Sequence, residues 1–264
     1  MVRDEADIIA EVVRHQLAQG LDFVLVADNG SADGTLEILE KMARADHRIL
    51  VAKDSEPRHF QSEKITYLAW AAWRNGAKWV VPFDGDEFFF AEGELLGDFL
   101  RRMPDEVTVV HADFHHMVPI AGDGDVGPST KFMMDGSASF PGKICVRTHP
   151  LLEIIEGNHD ASRVGGRRSG VAVAHAIYRS PAQMARKFRQ GLAAADGIHP
   201  GSHWVKGAVV SDRELDTVWE LITHGFPAPQ IDYLAKGPMR IVSPLAWENW
   251  DPKGQLEGDD DVVL

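Results

Sequence analysis

Short apolar runs alternate with amphipathic helical segments along the first third of the chain. Apolar residues between Asp7 and Leu17 recur at helical spacing, and residues 23–27 form an apolar run typical of a buried strand. The same patterns predict a helix, a strand, a helix and a strand over 35–43, 49–52, 62–75 and 79–83. This order is typical of a parallel sheet with crossover helices, so we predict an α/β fold.

The remainder of the chain continues with weaker patterns. They predict helices over 95–102 and 212–223, a helix after Ser180 and Pro181, and strands over 107–114, 143–147 and 171–175. Residues 120–139 are rich in Gly, Asp and Ser, which predicts either a mobile loop beside a binding site or an irregular connection. We predict one domain over 1–200 and a helical C-terminal extension over 201–264 that ends in a disordered acidic tail.

Composition narrows the class of protein. The formal charge of −13 and the lack of a basic run argue against a nucleic-acid partner. An anionic substrate stays possible, because a metal ion and a few basic residues reverse the charge locally. The single cysteine, Cys145, cannot form an intrachain disulfide, and no apolar stretch is long enough to span a bilayer. We expect a cytoplasmic protein without a transmembrane segment, with peripheral contact at the inner face of the membrane left open.

Three carboxylates follow the predicted strand over 79–83. Asp84, Asp86 and Glu87 surround Gly85, and the chain then becomes apolar again. Crowded carboxylates at the end of a buried strand repel one another, and a hard divalent cation relieves that repulsion. The pattern therefore predicts an Mn²⁺ or Mg²⁺ site, the alternative being an acidic turn between two strands.

Asp28 ends another predicted strand and begins a turn rich in Asn, Gly and Ser. In open α/β sheets, the loops at the carboxyl ends of the strands form the ligand crevice. We therefore expect Asp28 and the turn over 84–87 to face one cleft.

Three motifs that are weak signals singly form a specific signature when they occur in this order. Arg3-Asp4-Glu5, Asp28-Asn29-Gly30-Ser31 and Phe83-Asp84-Gly85-Asp86-Glu87 resemble the family 2 glycosyltransferases with the GT-A fold, in the subgroup whose acidic motif reads Asp-x-Asp-Glu. The resemblance implies a mixed, mainly parallel sheet flanked by helices. It also implies transfer of a sugar from a nucleoside diphosphate donor, first of all a UDP-sugar, to a hydroxyl of a glycan, polysaccharide or glycoconjugate. The enzyme would be a hexosyltransferase that inverts the anomeric centre.

The resemblance also implies roles for single residues. The carboxylate matching Asp28 contacts the base, Arg3 and Glu5 belong to the turn beside the nucleoside, and Asp84 and Asp86 hold ribose and metal. The family begins with a full strand before this turn, whereas two residues precede Arg3 here. Either the natural start lies upstream or that strand is shortened.

A histidine is expected to complete the metal shell. In the family and its GT-A relatives this histidine ends a late strand, which matches His175, and a neutral imidazole suits Mn²⁺. His159 is the competing ligand because Asp160 could orient its ring. A hydrogen-bonded histidine at a strand end is the simpler interpretation of His175. Alternation along a strand sends His115 and His116 to opposite faces, which argues against a second metal cluster.

Charged residues suggest the remaining roles. Arg179 and Lys187 could neutralise a diphosphate, although a solvated helix face explains them equally well. An inverting transfer needs a carboxylate that takes the proton of the acceptor, and Glu153, Asp113 and Asp160 are the candidates. Two other functions remain open: a non-catalytic or degenerate binder of nucleotide sugars, and a metal-dependent hydrolase of nucleotide sugars.

Overall fold

The computed structural model describes residues 1–120 apart from 57 and 59, then 130–194, 209–231, 239–242 and 262–263. The helices are α1 (Ile9–Ala18), α2 (Thr35–Ala45), α3 (Gln61–Arg74), α4 (Leu96–Arg101), α5 (Pro181–Ala194) and α6 (Asp212–Thr223). The strands are β1 (Val24–Asp28), β2 (Ile49–Lys53), β3 (Trp79–Val80), β4 (Glu87–Ala91), β5 (Val107–Pro119), β6 (Phe132–Asp135), β7 (Ser139–Arg147), β8 (Gly166–His175), β9 (Met239–Val242) and β10 (Val262–Val263). Short 3₁₀ turns occur at Glu156–Asn158 and Pro229–Ile231.

The sheet is mixed and the long strand β5 lies at its centre. β5 pairs in parallel with β8 and antiparallel with β7 and β6, while β8 also pairs antiparallel with β4. β1 and β2 form a separate parallel pair. The predicted mixed α/β class is confirmed, but the sheet is not mainly parallel as expected. Among the described strand pairs, β1–β2, which α2 connects, and β5–β8 are parallel, and the other pairs are antiparallel.

Two apolar layers cover the β4 region of the sheet. Alternation along β4 sends Phe88 and Phe90 against α1, and Phe89 and Ala91 against α4. Helix α3 packs on β5 and β7, and α5 and α6 form a third layer with β6. In the described part of the chain, no helix is long and apolar enough to cross a membrane.

Several element predictions need correction. The run over 79–83 pairs only at Trp79 and Val80, because the chain leaves the ladder at Pro82 before the carboxylates. The apolar residues after the carboxylates form β4, a fully buried strand. Part of the expected loop over 120–139 is the strand β6, whose side chains are all buried. Residues 121–129 and the predicted acidic tail lie outside the described residues, apart from Val262 and Val263.

Candidate functional site

The first acidic turn follows β1 and is joined to the start of the chain. Asp28 ends β1 and is 2% exposed. Val2 lies beside it as a parallel bridge, since the Val2 N–H donates to the Ala27 carbonyl and the Asn29 N–H donates to the Val2 carbonyl, both at 2.9 Å. The Asp28 carboxylate accepts the Ser31 N–H through Oδ1, whereas Oδ2 is buried and meets no hydrogen-bond partner in the described part of the chain.

Residues 4–6 are hydrogen-bonded to this same turn. The Asp4 carboxylate accepts the Ala32 N–H at 2.6 Å, and the Glu5 N–H donates to the Thr35 hydroxyl at 2.8 Å. Among the described residues no side chain caps α1, since Asp4 contacts the turn after β1 instead. The Asp33 carboxylate accepts the Thr35 N–H at 3.0 Å, and the N-cap position of α2 is Gly34, which has no side chain to cap the helix.

The second acidic turn packs directly on the first segment. A Cβ built on Gly85 would lie 3.0 Å from side-chain carbons of both Glu5 and Val2. A larger residue at position 85 would push the second acidic turn away from Val2 and Glu5, so the glycine permits their close approach. Val2 touches both turns, which confirms that Asp28 and residues 84–87 border the same region of the molecule.

Asp84 is held by three donors from three different elements. Lys143 of β7 donates to Oδ2 at 2.9 Å, and Gln61 of α3 donates to Oδ1 at 2.8 Å. Asn158 donates to the same Oδ1 at 3.3 Å, and its own Oδ1 is buried without a partner. Burial raises the pKa of Asp84, but the Lys143 ammonium outweighs it and holds the pKa below its ordinary value.

Glu87 shares the same ammonium from the other side. Its Oε1 lies 2.7 Å from Lys143 Nζ, and its Oε2 accepts the Asp84 N–H at 3.0 Å. Complete burial raises the pKa of Glu87 to about 8, although Lys143 opposes the shift. One ammonium between two carboxylates therefore leaves Asp84 ionised and Glu87 protonated near neutral pH.

Asp86 is surrounded by nitrogen atoms. Lys187 Nζ contacts Oδ2 directly, His175 Nε2 lies 3.3 Å from this oxygen, and Arg179 Nη1 lies 3.6 Å away. Burial would raise the pKa of Asp86, yet Lys187, His175 and Arg179 together hold it well below its ordinary value. Asp86 is therefore an ionised carboxylate at any pH near neutral.

His175 ends β8 and belongs to a small aromatic cluster. Its Nδ1 lies 3.1 Å from Nδ1 of His116, and the ring of Phe114 lies 4.8 Å from its own. Burial lowers the pKa of His175 while Asp86 opposes the shift, so the ring is neutral near pH 7. His115 points the other way, with Nδ1 3.0 Å from the Asp135 carbonyl, which confirms that the two histidines occupy opposite faces of β5.

Arg179 joins the N-terminal turn to the second acidic turn. Its buried guanidinium contacts the carboxylates of Glu5 and Asp7, and it approaches Asp86. Burial raises the pKa of Glu5 to about 7 against the opposing charge of Arg179. With a side chain only 1% exposed, Arg179 does not lie on a solvated helix face.

Other predicted site residues lie apart from this cluster. His159 is hydrogen-bonded through Nδ1 to the Gly142 carbonyl at 2.7 Å, and Asp160 is paired with Arg167 at 2.8 Å. Asp113 and Glu153 have exposed side chains, and none of these four residues is hydrogen-bonded to Asp84, Asp86 or His175 in the described structure. Arg3 is exposed in the N-terminal turn.

Several residues of the site were missed by the sequence argument. They come from α3, β5, β7 and the loop before β8, and are Gln61, His116, Lys143 and Asn158. No local motif marks them, because each enters the site through tertiary packing. Lys143 carried one usable signal: it is a lysine at the start of an apolar strand, a position that demands a buried counter-charge.

The side chains fit a divalent cation that keeps some ligands from outside the protein. In the described residues, no group of three or more His, Cys, Asp or Glu side chains is arranged to hold a metal ion. Asp86 and His175 supply one carboxylate and one neutral imidazole, 3.3 Å apart, close to the roughly 3 Å expected of adjacent ligands at about 2.1 Å from one ion. Mg²⁺ commonly takes one or two protein ligands together with substrate phosphates.

A comparison with protein families covers the part of this site that precedes residue 118. Residues 1–117 match the family model described as glycosyl transferase family 2. The match includes Asp28, Asp84 and Asp86, and it ends before Lys143, His175 and Lys187. No curated protein matches the chain.

Proposed function

We propose a metal-assisted transfer of a sugar from a nucleoside diphosphate donor to a hydroxyl. The proposal proceeds from the match of residues 1–117 to glycosyl transferase family 2 and from a mixed α/β architecture consistent with the GT-A fold. The donor to test first is a UDP-sugar, and the acceptor class is a glycan, polysaccharide or glycoconjugate. The observation that carries the proposal is the junction of the two acidic turns at Val2, Glu5 and Gly85. It brings a nucleoside-binding carboxylate and a metal-binding carboxylate to one region.

The nucleoside end of the proposed site is built from Asp28 and Glu5. Asp28 is buried, and its Oδ2 has no hydrogen-bond partner among the described residues, so a donor group of a base would supply that hydrogen bond. An unsatisfied buried carboxylate oxygen is costly, and ligand binding would remove that cost. Arg3, exposed in the same turn, is positioned at the edge of this end.

The diphosphate end is built from Asp86, His175 and Lys187. In the proposed enzyme, Asp86 and His175 would hold Mn²⁺ or Mg²⁺, and Asp84 would contact the ribose. A bound metal would supply positive charge against the charge that develops on the leaving diphosphate. Lys187 reaches the same oxygen of Asp86 and supplies a second positive charge for the phosphates. The neutral state of His175 agrees with a ligand role, because a protonated ring has no lone pair to offer.

The acceptor hydroxyl must lose a proton if the reaction inverts the anomeric centre. Asp113, Glu153 and Asp160 remain the proposed bases. Asp160 belongs to the loop that also sends Asn158 to Asp84, which favours it among the three. A variant lacking the true base would lose transfer and keep donor binding.

The test of the proposed function compares Asp86→Asn with Asp98→Asn. Asp98 is an exposed acidic residue of α4 and serves as the matched control. Wild type and Asp98→Asn should be stabilised by UDP with Mn²⁺ in a thermal shift assay, with a weaker effect of UDP alone. Asp86→Asn should lose the metal-dependent part, at least tenfold in apparent affinity.

Activity then separates the candidate functions. Consumption of donor only when an acceptor is added supports the transferase, whereas release of free sugar without an acceptor supports a hydrolase. Metal-dependent binding without any turnover supports a nucleotide-sugar binder. If Asp86→Asn retains metal-dependent binding, the assignment of the site is wrong.

A further inference from the structure

Three nitrogen-bearing side chains converge on a single oxygen of Asp86. The Lys187 ammonium contacts Oδ2, His175 Nε2 lies 3.3 Å from it, and Arg179 Nη1 lies 3.6 Å from it. A divalent cation bound by the same oxygen would have to displace at least one of them, because like charges at such distances repel strongly.

The three neighbours differ in their freedom to move. Arg179 is held by the carboxylates of Glu5 and Asp7, and its side chain is 1% exposed. His175 is fixed at the end of β8 and contacts His116. The Lys187 side chain is 19% exposed, and its other polar contact among the described residues is the Ile177 carbonyl at 3.3 Å. Lys187 is therefore the neighbour of Asp86 that can move without breaking a buried network.

Positive charge already lies on the Oδ2 side of Asp86. Arg179 and Lys187 both approach this oxygen, and the Asp86 side chain is only 4% exposed. A bare dication would enter beside these two cations in a buried place, which is unfavourable. A diphosphate that arrives with the metal supplies the missing negative charge and also offers oxygen acceptors to a displaced ammonium.

We propose that Lys187 excludes a bare divalent cation from Asp86. Its ammonium leaves this carboxylate only when the metal enters together with a diphosphate. Lys187 is in this sense a positioning residue: it makes metal binding depend on the nucleotide, and after exchange it pairs with the phosphates. The inference rests on the proposed function, since it assigns an order of binding to the same site. No bond is made or broken in the step, only ion pairs are exchanged.

The test measures Mn²⁺ binding to nucleotide-free protein, by calorimetry or by the paramagnetic resonance of free Mn²⁺. Lys187→Met keeps the length of the side chain and removes its charge, and it should bind Mn²⁺ at least tenfold more tightly than wild type. The same variant should bind UDP at least tenfold more weakly when Mn²⁺ is present. A merely structural lysine would weaken metal binding when removed, so the opposite sign distinguishes the two roles.

Two controls accompany the measurement. Arg189→Met removes an exposed charge from the same helix, where the arginine pairs with Asp212, and should leave both affinities unchanged. Lys187→Arg keeps the charge and should keep the exclusion of bare Mn²⁺. If Lys187→Met does not fold, wild type alone can still overturn the inference. Its affinity for Mn²⁺ should rise at least tenfold when UDP is present, because UDP and Mn²⁺ must change each other's affinity by the same factor.

The outcomes separate the inference from the proposed function. Lys187→Met that binds bare Mn²⁺ no more tightly than wild type overturns the inference, as does wild type that binds Mn²⁺ equally well with and without UDP. Wild type that binds UDP but never Mn²⁺ overturns the metal assignment in the proposed function, and the inference with it.

Discussion

The two acidic turns of the site are neutralised in opposite ways. In the turn after β1, the carboxylates of Asp28 and Asp33 accept hydrogen bonds from nearby backbone N–H groups and a hydroxyl. At the start of β4, Asp84, Asp86 and Glu87 face the ammonium groups of Lys143 in β7 and Lys187 in α5, and Asp86 also faces the guanidinium of Arg179, just before α5. The first turn is thus stabilised by neutral dipoles and the second by full charges.

The difference follows from where the partners lie in the sequence. Ser31 is three residues from Asp28, and Thr35 is two residues from Asp33, so these bonds of the first turn can form locally. Residues 4–6 then join the turn from 27 to 30 residues away. Lys143 is 59 residues from Asp84, and Lys187 is 101 residues from Asp86. The second turn is complete only after β7 and α5 have docked, and both lie beyond the part of the chain that matches the family.

The largest effect is expected from removing the buried cation that joins the two regions. Arg179→Met leaves the carboxylates of Glu5 and Asp7 without their partner, which should lower the free energy of unfolding by about 3–5 kcal/mol. Urea denaturation measures it. Arg189→Met is the control, since an exposed pair contributes about 0–1 kcal/mol. Equal losses in the two variants would contradict the role given to Arg179.

A smaller effect is expected from the pH dependence of the second turn. Glu87 has a pKa of about 8 when folded and an ordinary value of 4.5, so the folded state binds its proton more tightly. Its stabilisation is fully present below about pH 4.5 and is lost as the pH rises through about 8.

Glu87→Gln tests this expectation, because glutamine keeps the shape and cannot ionise. Between pH 6 and pH 8, wild type should lose roughly 2 kcal/mol more of its unfolding free energy than the variant. Denaturant melts at several pH values measure the difference. Parallel curves for the two proteins would mean that Glu87 is ionised throughout this range.

The smallest effect is expected in the first turn, where the contacts are neutral and local. Asp33→Ala removes the acceptor of the Thr35 and Ala6 N–H groups and should cost about 1 kcal/mol. Because the carboxylate acts through backbone hydrogen bonds, Asp33→Asn should recover most of the loss. A cost near that of Arg179→Met would show that the first turn also depends on remote partners.

The positions of the two turns could be predicted from sequence because they depend on local patterns. Asp28 and Asp84 each come at the end of an apolar run. Their strands β1 and β3 belong to different sheets, yet both turns lie against Val2. The capping role of Ser180 was visible for the same reason, and its hydroxyl accepts the Gln183 N–H at 3.1 Å.

The environment of the turns could not be predicted in this way. Arg179 was expected to meet a diphosphate, but the structure buries it among carboxylates of the N-terminal turn, 172 and 174 residues away in sequence. Gln61 and Asn158 reach Asp84 only because α3 and the loop before β8 pack together. Such contacts depend on tertiary packing, to which periodicity and turn signals do not respond.

Helix α5 contributes one contact to the second acidic turn and one to the N-terminal turn. Lys187 contacts Asp86, and Gln190, three positions later, contacts Asp4 of the N-terminal turn. The rise between the two positions is about 4.5 Å along the helix axis, so the helix itself fixes the spacing between them. A substitution beneath α5, at Met184 or Phe188 in the apolar layer, would shift both contacts together and so alter both ends of the proposed donor site from a distance.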